Sequence, residues 1–193
     1  MNVAESFELS EQDYLHDEYS RDIKHEYIDG QAYAMVGASE SHNIISGNVF
    51  AQLHRELKKS GLKGKGCKTF IADMKVKASG NIFYPDLMVI CEPDPNDSNF
   101  VKNTPSIIVE VLSASTRKND ITLKKMAYMN IASLQEYVLI EQDKFEVVVF
   151  RKSQHWASTY YVLGDEITFE SIDVIISVAD IYDGVEGLTQ ATA

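Results

Sequence analysis

The alternation of apolar and polar positions divides the chain into a few clear elements. From Ser39 to Ser60, "SESHNIISGNVFAQLHRELKKS" places Ile44, Ile45, Val49, Leu53 and Leu57 at helical spacing. Gly61, Gly64 and Gly66 then end the pattern. Ahead of it, "SEQDYLHDEYSRD" predicts a short helix capped by Ser10, with Asp13 in its first turn. "HEYIDGQAYAMV" predicts two short strands joined at Asp29-Gly30, a strong hairpin signal. "CKTFIADMKVKAS" and "IFYPDLMVICEP" predict a second hairpin turning at Gly80-Asn81. "PSIIVEVLS" is a nearly unbroken apolar run, as expected of a strand in mid-sheet. "DITLKKMAYMNIA" has helical periodicity and offers Ile121, Leu123, Met126, Tyr128 and Met129 for packing. "EYVLIEQDKFEVVVFRK" and "WASTYYVLG" return to strand, and "IDVIISVADIYDG" adds one strand and one helical turn. The expected class is α/β (α+β), with a mixed β-sheet flanked by helices. No repeat, low-complexity tract or linker interrupts the chain, so residues 1–193 are expected to form one domain.

Two of the apolar runs carry a single charge each. "YPDLMVICEP" begins with Asp86, and "PSIIVEVLS" holds Glu110 between Ile107, Ile108 and Val109 on one side and Val111 and Leu112 on the other. A buried charge without a partner costs several kcal/mol in practice, on the order of 2–7. Each acid could simply pair with Arg117 or Lys124. If the two strands are neighbours, however, two carboxylates converge in an otherwise apolar sheet. Such a pair offers hard oxygen ligands suited to Mg²⁺, with Mn²⁺ able to substitute. No His or Cys cluster competes for a softer metal. A divalent ion there would polarise a phosphodiester and acidify a bound water. Lys124, on the helix after the Glu110 strand, is placed to orient that water.

Charge and cysteines qualify the picture. The net charge is −11, which opposes a nucleic-acid partner at first sight. The acids crowd residues 1–30 and 165–193, leaving the middle of the chain slightly basic. Arg55, Lys58, Lys59, Lys63, Lys65, Lys68, Lys75 and Lys77 form one basic cluster, and Arg117, Lys118, Lys124 and Lys125 a second. They are either solvated faces or a local cationic surface for DNA. The N-terminus lacks a signal-peptide pattern, and no run nears the roughly 20 apolar residues of a membrane span. Cys67 and Cys91 lack metal-ligand spacing and are expected to be reduced core thiols of a cytoplasmic protein.

"YPDLMVI", "PSIIVEVLSASTRKND" and "KKMAYMNIASLQEYVLIE", with "HEYIDGQAYAMVGASESHNII" upstream, resemble the putative restriction endonuclease family of the PD-(D/E)XK nuclease superfamily. The resemblance runs from about residue 10 to residue 182. It implies a restriction endonuclease-like core and a metal-dependent endodeoxyribonuclease that leaves a 5′-phosphate and a 3′-hydroxyl. It also implies a homodimer, since two strands need two sites. By position, Pro85 and Asp86 match the "PD" and Glu110 the "(D/E)". The motif lysine should follow two residues later, but Leu112 stands there; Lys124 matches a lysine displaced to the next helix, with Lys125 beside it. Glu26 matches an acid that completes the metal shell. Asp73 is a weaker candidate on a neighbouring strand, and His42 a phosphate- or water-contacting residue or a helix cap. Ser113, Ser115 and Thr116 suit backbone or phosphate contacts, and Tyr128 packing beside the site. Trp156, Tyr160 and Tyr161 read as core or sheet-face residues. Two other functions remain open: a catalytically silent nuclease-like binding or assembly module, and a hydrolase of smaller phosphoesters. A metal-dependent cleavage assay separates the first from the nuclease; a closed pocket in place of an open groove marks the second.

Overall fold

A computed structural model describes residues 8–59 and 66–189. Helix α1 (Glu11–Glu18) is capped by the Ser10 hydroxyl, which accepts from the Asp13 N–H. Strands β1 (His25–Ile28) and β2 (Gln31–Ala34) form the expected hairpin, with Asp29 and Gly30 at φ 48° and 78°. Two positive φ values make a type I′-like turn, whose twist matches that of the flanking strands. Helix α2 (Glu40–Lys59) follows and buries Ile45, Val49 and Leu53. Lys63 and Lys65 of the first basic cluster, and Gly61 and Gly64, lie outside the described residues.

The next segment departs from a simple hairpin. Strands β3 (Lys68–Ile71), β4 (Lys75–Ala78), β5 (Asn81–Phe83) and β6 (Leu87–Ile90) do fold back on themselves. The outer pair, β3 with β6, belongs to one sheet and the inner pair, β4 with β5, to another. The ribbon crosses between sheets at 72–74 and 84–86, where the Ala72 N–H donates to the Asp86 carbonyl at 3.0 Å. The turn is at Ser79-Gly80 (φ 51° and 80°), one residue before the Gly80-Asn81 expected. Asn81 instead opens β5, and its side-chain carbonyl accepts from the Asp29 N–H.

The larger sheet has six strands in the order β11-β10-β9-β8-β6-β3. It includes β8 (Ile107–Leu112), β9 (Glu136–Glu141), β10 (Glu146–Arg151) and β11 (Ser158–Val162). β8 and β9 run parallel and the other neighbours antiparallel, so the sheet is mixed. A five-stranded sheet, β2-β1-β5-β4-β7, is completed by β7 (Val101–Lys102). β12 (Glu166–Phe169), which has no counterpart in the expected elements, pairs with β13 (Val174–Ser177) ahead of helix α5 (Val178–Ile181). No helix among the described residues is long and apolar enough to cross a membrane.

Period-2 alternation gives each face of the six-stranded sheet its own core. Leu87, Val89, Ile107, Val109 and Val111 pack with Ile45, Val49 and Leu53 of α2. Met88, Ile90, Ile108 and Leu112 pack on the opposite face with Tyr128, Leu134 and Tyr137. Glu110 shares that second face, and Asp86, one residue before β6, is in step with Met88 and Ile90. The segment after β8 forms α3 (Arg117–Asn119), a π-helical turn (Asp120–Lys124) and α4 (Lys125–Met129). The wider turn shifts the buried face, so Met126 is 72% exposed and Ile121 41%, against the packing expected of them.

Cys67 and Cys91 are not free thiols: they form a disulfide. The register pairs Lys68 with Ile90, so the next residues outward stand opposite each other. Their 24-residue separation is the length of the folded-back ribbon, not a distance in space. Closing a loop of that 24-residue span stabilises by about 3 kcal/mol in the loop-entropy picture. Adding dithiothreitol should therefore lower the urea midpoint clearly, and Cys67→Ser with Cys91→Ser should abolish the response. An unchanged midpoint in reductant would show that the bond contributes nothing.

Candidate active site

Four elements deliver charge to one face of the six-stranded sheet. β8 supplies Glu110, 3% exposed. The antiparallel register, with Leu87 opposite Val109, brings Asp86 to the neighbouring position on β6's leading end. β1 supplies Glu26. The π-helical turn supplies Lys124 and Asp120.

The Lys124 ammonium is the centre of the arrangement. It lies 2.9 Å from Glu26 Oε1, 3.1 Å from Asp120 Oδ1 and 3.2 Å from Glu110 Oε1. The Tyr128 hydroxyl donates to the same Glu110 oxygen at 2.9 Å. Asp120, Lys124 and Tyr128 are spaced four apart, which places them on one side of the helical segment. The wide turn is itself secured by the Tyr137 hydroxyl, which donates to the Asp120 carbonyl at 2.9 Å. Lys125 leaves the helix in another direction, 3.8 Å over the Phe150 ring. Leu112, where the motif lysine is missing, is buried in the core beside Tyr128.

Asp86 is held from both sides. The Val111 N–H donates to its Oδ2 at 2.7 Å, and His42 Nε2 donates to its Oδ1 at 2.8 Å. A carboxylate only accepts, so His42 must carry its proton on Nε2. His42 sits in the first turn of α2, where the Ser39 hydroxyl accepts from its N–H at 3.1 Å. It is thus both a helix-start residue and a partner of the candidate site. Glu26 also accepts from the Tyr84 N–H at 3.3 Å, tying β1 to the crossing at Pro85.

Burial pushes the Glu110 carboxyl well above the usual range; Lys124 opposes this, while Asp120, Asp86 and Glu26 push it further up. For Lys124, burial favours the neutral amine, but Glu110, Glu26 and Asp120 outweigh it and hold the ammonium well above its usual pKa. Lys124 therefore stays charged. The acids outnumber their cationic partners, and the excess falls on Glu110. The cluster opens into a cavity of about 340 Å³ lined by His42, Asp86, Glu110 and Lys124, with Ser113 and Thr116 at its side.

Not every expected residue arrives. Asp73 is exposed in the bend between β3 and β4 (φ 40°), not on a strand, and shares no contact with the cluster. Arg117 pairs with Glu141 rather than with either motif acid. Ser113, Ser115 and Thr116 bond to one another, and the Ser113 hydroxyl accepts from the Thr116 N–H. Trp156 and Tyr161 pack against the core, while Tyr160 is exposed. Asp120 escaped the sequence reading; its four-residue spacing from Lys124 was the available signal. Among the described residues, no group of three or more His, Cys, Asp or Glu is arranged to hold a metal ion by itself.

The Uma2 family, described as putative restriction endonuclease, matches residues 11–178. The chain belongs to this family. Two Synechocystis proteins described as uncharacterized are similar to it throughout. One is 32% identical over 181 residues, covering 92% of this chain and 93% of the relative. The other is 33% identical over 165 residues, covering 82% and 90%. The crystal structure of a putative nuclease from Anabaena variabilis superposes with a TM-score of 0.67 at 16% identity, over 84% of this chain and 91% of that one. At that identity the likeness speaks to the fold, which is restriction endonuclease-like.

In this Uma2-family chain the raised Glu110 carboxyl carries a stability consequence. The native state holds a proton there at pH values where the unfolded chain has released it. Glu110's contribution is thus full below the ordinary carboxyl pKa and is lost as pH rises toward the raised value. Glu110→Gln removes that charge and leaves Lys124 with Glu26 and Asp120. Its melting temperature should equal or exceed wild type at pH 7, with the advantage shrinking at pH 5. A variant markedly less stable at pH 7 would mean that the Glu110–Lys124 pair outweighs its burial.

Proposed function

We propose that this chain is a Mg²⁺-dependent endodeoxyribonuclease. One observation carries the reading: a buried lysine lies against Glu110, on the sheet face that Asp86 shares, at the floor of an open cavity. The donor set fits a hard divalent ion. Every donor near the lysine is a carboxylate oxygen, and their charge is in excess, which a cation would relieve. Mg²⁺ needs only one or two protein carboxylates, taking its remaining oxygens from water and substrate. Asp86 and Glu110 are the residues assigned to hold it, with Mn²⁺ able to take its place. When bound, the ion would supply Lewis-acid polarisation of the phosphate and a more acidic water.

The protein's own contribution is placement. His42 and the Val111 N–H fix both Asp86 oxygens, so that carboxylate does not rotate away. Lys124 cannot act as a base, because its neighbours keep it protonated. It donates hydrogen bonds, orienting the attacking water and offsetting charge that develops on the phosphorus oxygens. Glu26 was also expected as a metal ligand; its contacts with Lys124 and Tyr84 support holding the lysine ahead of that duty. Two such chains as a homodimer would bring two sites together.

The silent-module reading keeps one specific support. Among the described residues of the basic clusters, Arg55 and Lys59 pair with Glu56, Lys77 with Glu11 and Arg117 with Glu141. Lys75 is buried over the Tyr84 ring. Much of the positive charge is spent internally, so DNA affinity should be modest. The deciding experiment incubates supercoiled plasmid and single-stranded circular DNA with Mg²⁺, Mn²⁺ or EDTA. Wild type should cut only with metal. Lys124→Ala and Asp86→Asn should each slow cleavage by about 100-fold or more, the scale of losing one preorganised charge-stabilising group. Lys125→Ala should stay within a few-fold of wild type. Inactivation by Lys125→Ala with Lys124→Ala harmless overturns the mechanism, and no cleavage under any condition favours the silent module.

A further inference from the structure

Strand β11 closes one side of the six-stranded sheet and, among the described residues, is paired only with β10. The antiparallel ladder decides which of its backbone groups face outward. The Glu146 N–H donates to the Tyr182 hydroxyl and the Val162 N–H to Asp165 Oδ2, so the opposed pair Glu146–Val162 exchanges no ladder bonds. Bonded and unbonded pairs alternate along such a ladder, which makes Val148–Tyr160 and Phe150–Ser158 unbonded as well. The N–H and C=O groups of Ser158 and Tyr160 therefore point away from β10, into solvent. Those of Val162 are both taken by the turn at Asp165.

An open strand edge is a template for another strand, and proteins blunt it with a lysine, a proline or a bulge. β11 has none of these. Ser158, Thr159, Tyr160, Tyr161 and Val162 carry no charge, and their register with β10 is unbroken. Tyr160 is 63% exposed, and Val162 and Leu163 beside it are exposed as well. The charge lies at the two ends of the strand. Lys152 and His155 precede it, Asp165 and Glu166 follow it, and all four are exposed. A second β11 laid antiparallel on this edge sets the basic end of each copy against the acidic end of the other. A parallel copy sets like against like. This complementarity under a two-fold axis selects a second copy of the chain as the occupant. With a net charge of −11, two copies repel one another in general, so a local match of opposite charges is what an interface between them requires.

We propose that two copies of this chain pair through β11, antiparallel about Tyr160, so that their six-stranded sheets join into one. Tyr160 exchanges both backbone bonds with Tyr160 of the second copy, and Ser158 lies opposite Val162 of that copy. The two tyrosine rings stand side by side as a cross-strand aromatic pair. The inference rests on the homodimer of the nuclease reading and goes further by naming its surface. Glu110, Leu139, Val148 and Tyr160 form one row across the sheet. The two Glu110 positions are then about seven strand spacings apart, roughly 34 Å along the joined sheet at about 4.8 Å each. Each site is complete within its own copy, so pairing brings two sites together without building either.

Sedimentation equilibrium on the full chain, over a wide range of concentration, reads the association. Wild type should dimerise reversibly. Tyr160→Lys sets two like charges on the axis and should weaken the dimer by about 100-fold, while Tyr160→Phe keeps it. Each variant is checked for an unchanged melting temperature. A second measurement reads the register directly. Cys67 and Cys91 are paired with each other, so Tyr160→Cys gives each copy one free thiol. Across the axis the two Cα atoms are about 5.5 Å apart, within disulfide range. Mild oxidation should therefore yield a covalent dimer, and Ile175→Cys, an exposed position on β13, should not yield one. Wild-type dimers that Tyr160→Lys leaves intact, or a Tyr160→Cys that crosslinks no better than Ile175→Cys, overturn this interface and keep the homodimer. A monomer at every concentration overturns both. Metal-dependent plasmid cutting, read in parallel, judges the nuclease reading separately from either result.

Discussion

An ammonium that is only 4% exposed has to be surrounded by opposite charge, and in this chain that demand falls on Lys124. Taking an ion out of water costs several kcal/mol even after the protein relaxes, on the order of 3–5 when one partner of a buried pair is removed. The lysine meets the demand with oxygens from three separate elements: Glu26 on β1, Glu110 on β8 and Asp120 from its own helical segment. The two large sheets and the helical segment therefore meet at one point. If any of them shifts, the ammonium loses a partner. The π-helical turn belongs to the same arrangement, with its displaced carbonyl taken up by Tyr137.

Overcharging the lysine with acids has a second effect. Three carboxylates more than neutralise one cation, and Asp86 adds a fourth acid held by His42. A fold selected for stability alone would replace this group with apolar residues of similar volume, an exchange that is often neutral or stabilising. Its position between two apolar cores is what the proposed chemistry would require. Leu112, where the resemblance implies an in-line lysine, lies in the core, and the cation beside the acids is Lys124, which reaches them from the helical segment.

The parts of this organisation visible in the sequence were those governed by local period. Asp86 and Glu110 stood out because each breaks a run that should be buried, and their sharing of a face follows from period-2 alternation. The Asp29-Gly30 hairpin and the α2 helix were visible for the same reason. What escaped depends on contacts distant along the chain. Asp120 looked like an ordinary acid opening a helix, since nothing local shows that a π-helical turn will bury it. His42 became a partner of Asp86 only because α2 packs across 44 residues of sequence onto the β6 end. Cys67 and Cys91 were read from their separation, although the ribbon between them returns to its start. Ile121 and Met126 were assigned to the core on a 3.6-residue period that this helix does not keep.

The crossing of that ribbon explains why the site lies where it does. A hairpin that stayed in one sheet would give β6 an uninterrupted partner and bury Asp86 in a ladder. Here Pro85 lacks an N–H to donate, and the chain leaves the five-stranded sheet at Tyr84 and joins the six-stranded one at Leu87. Asp86 is left at the start of its strand, with its carbonyl engaged by Ala72 and its side chain free to turn toward Val111 and His42. On the other side of the gap, Tyr84 gives its N–H to Glu26. The break between the sheets thus sets the spacing between the acid of β6 and the acid of β1, and Lys124 reaches in beside it from the helical segment. The opening between the two sheets is thus floored by carboxylates and one fixed cation.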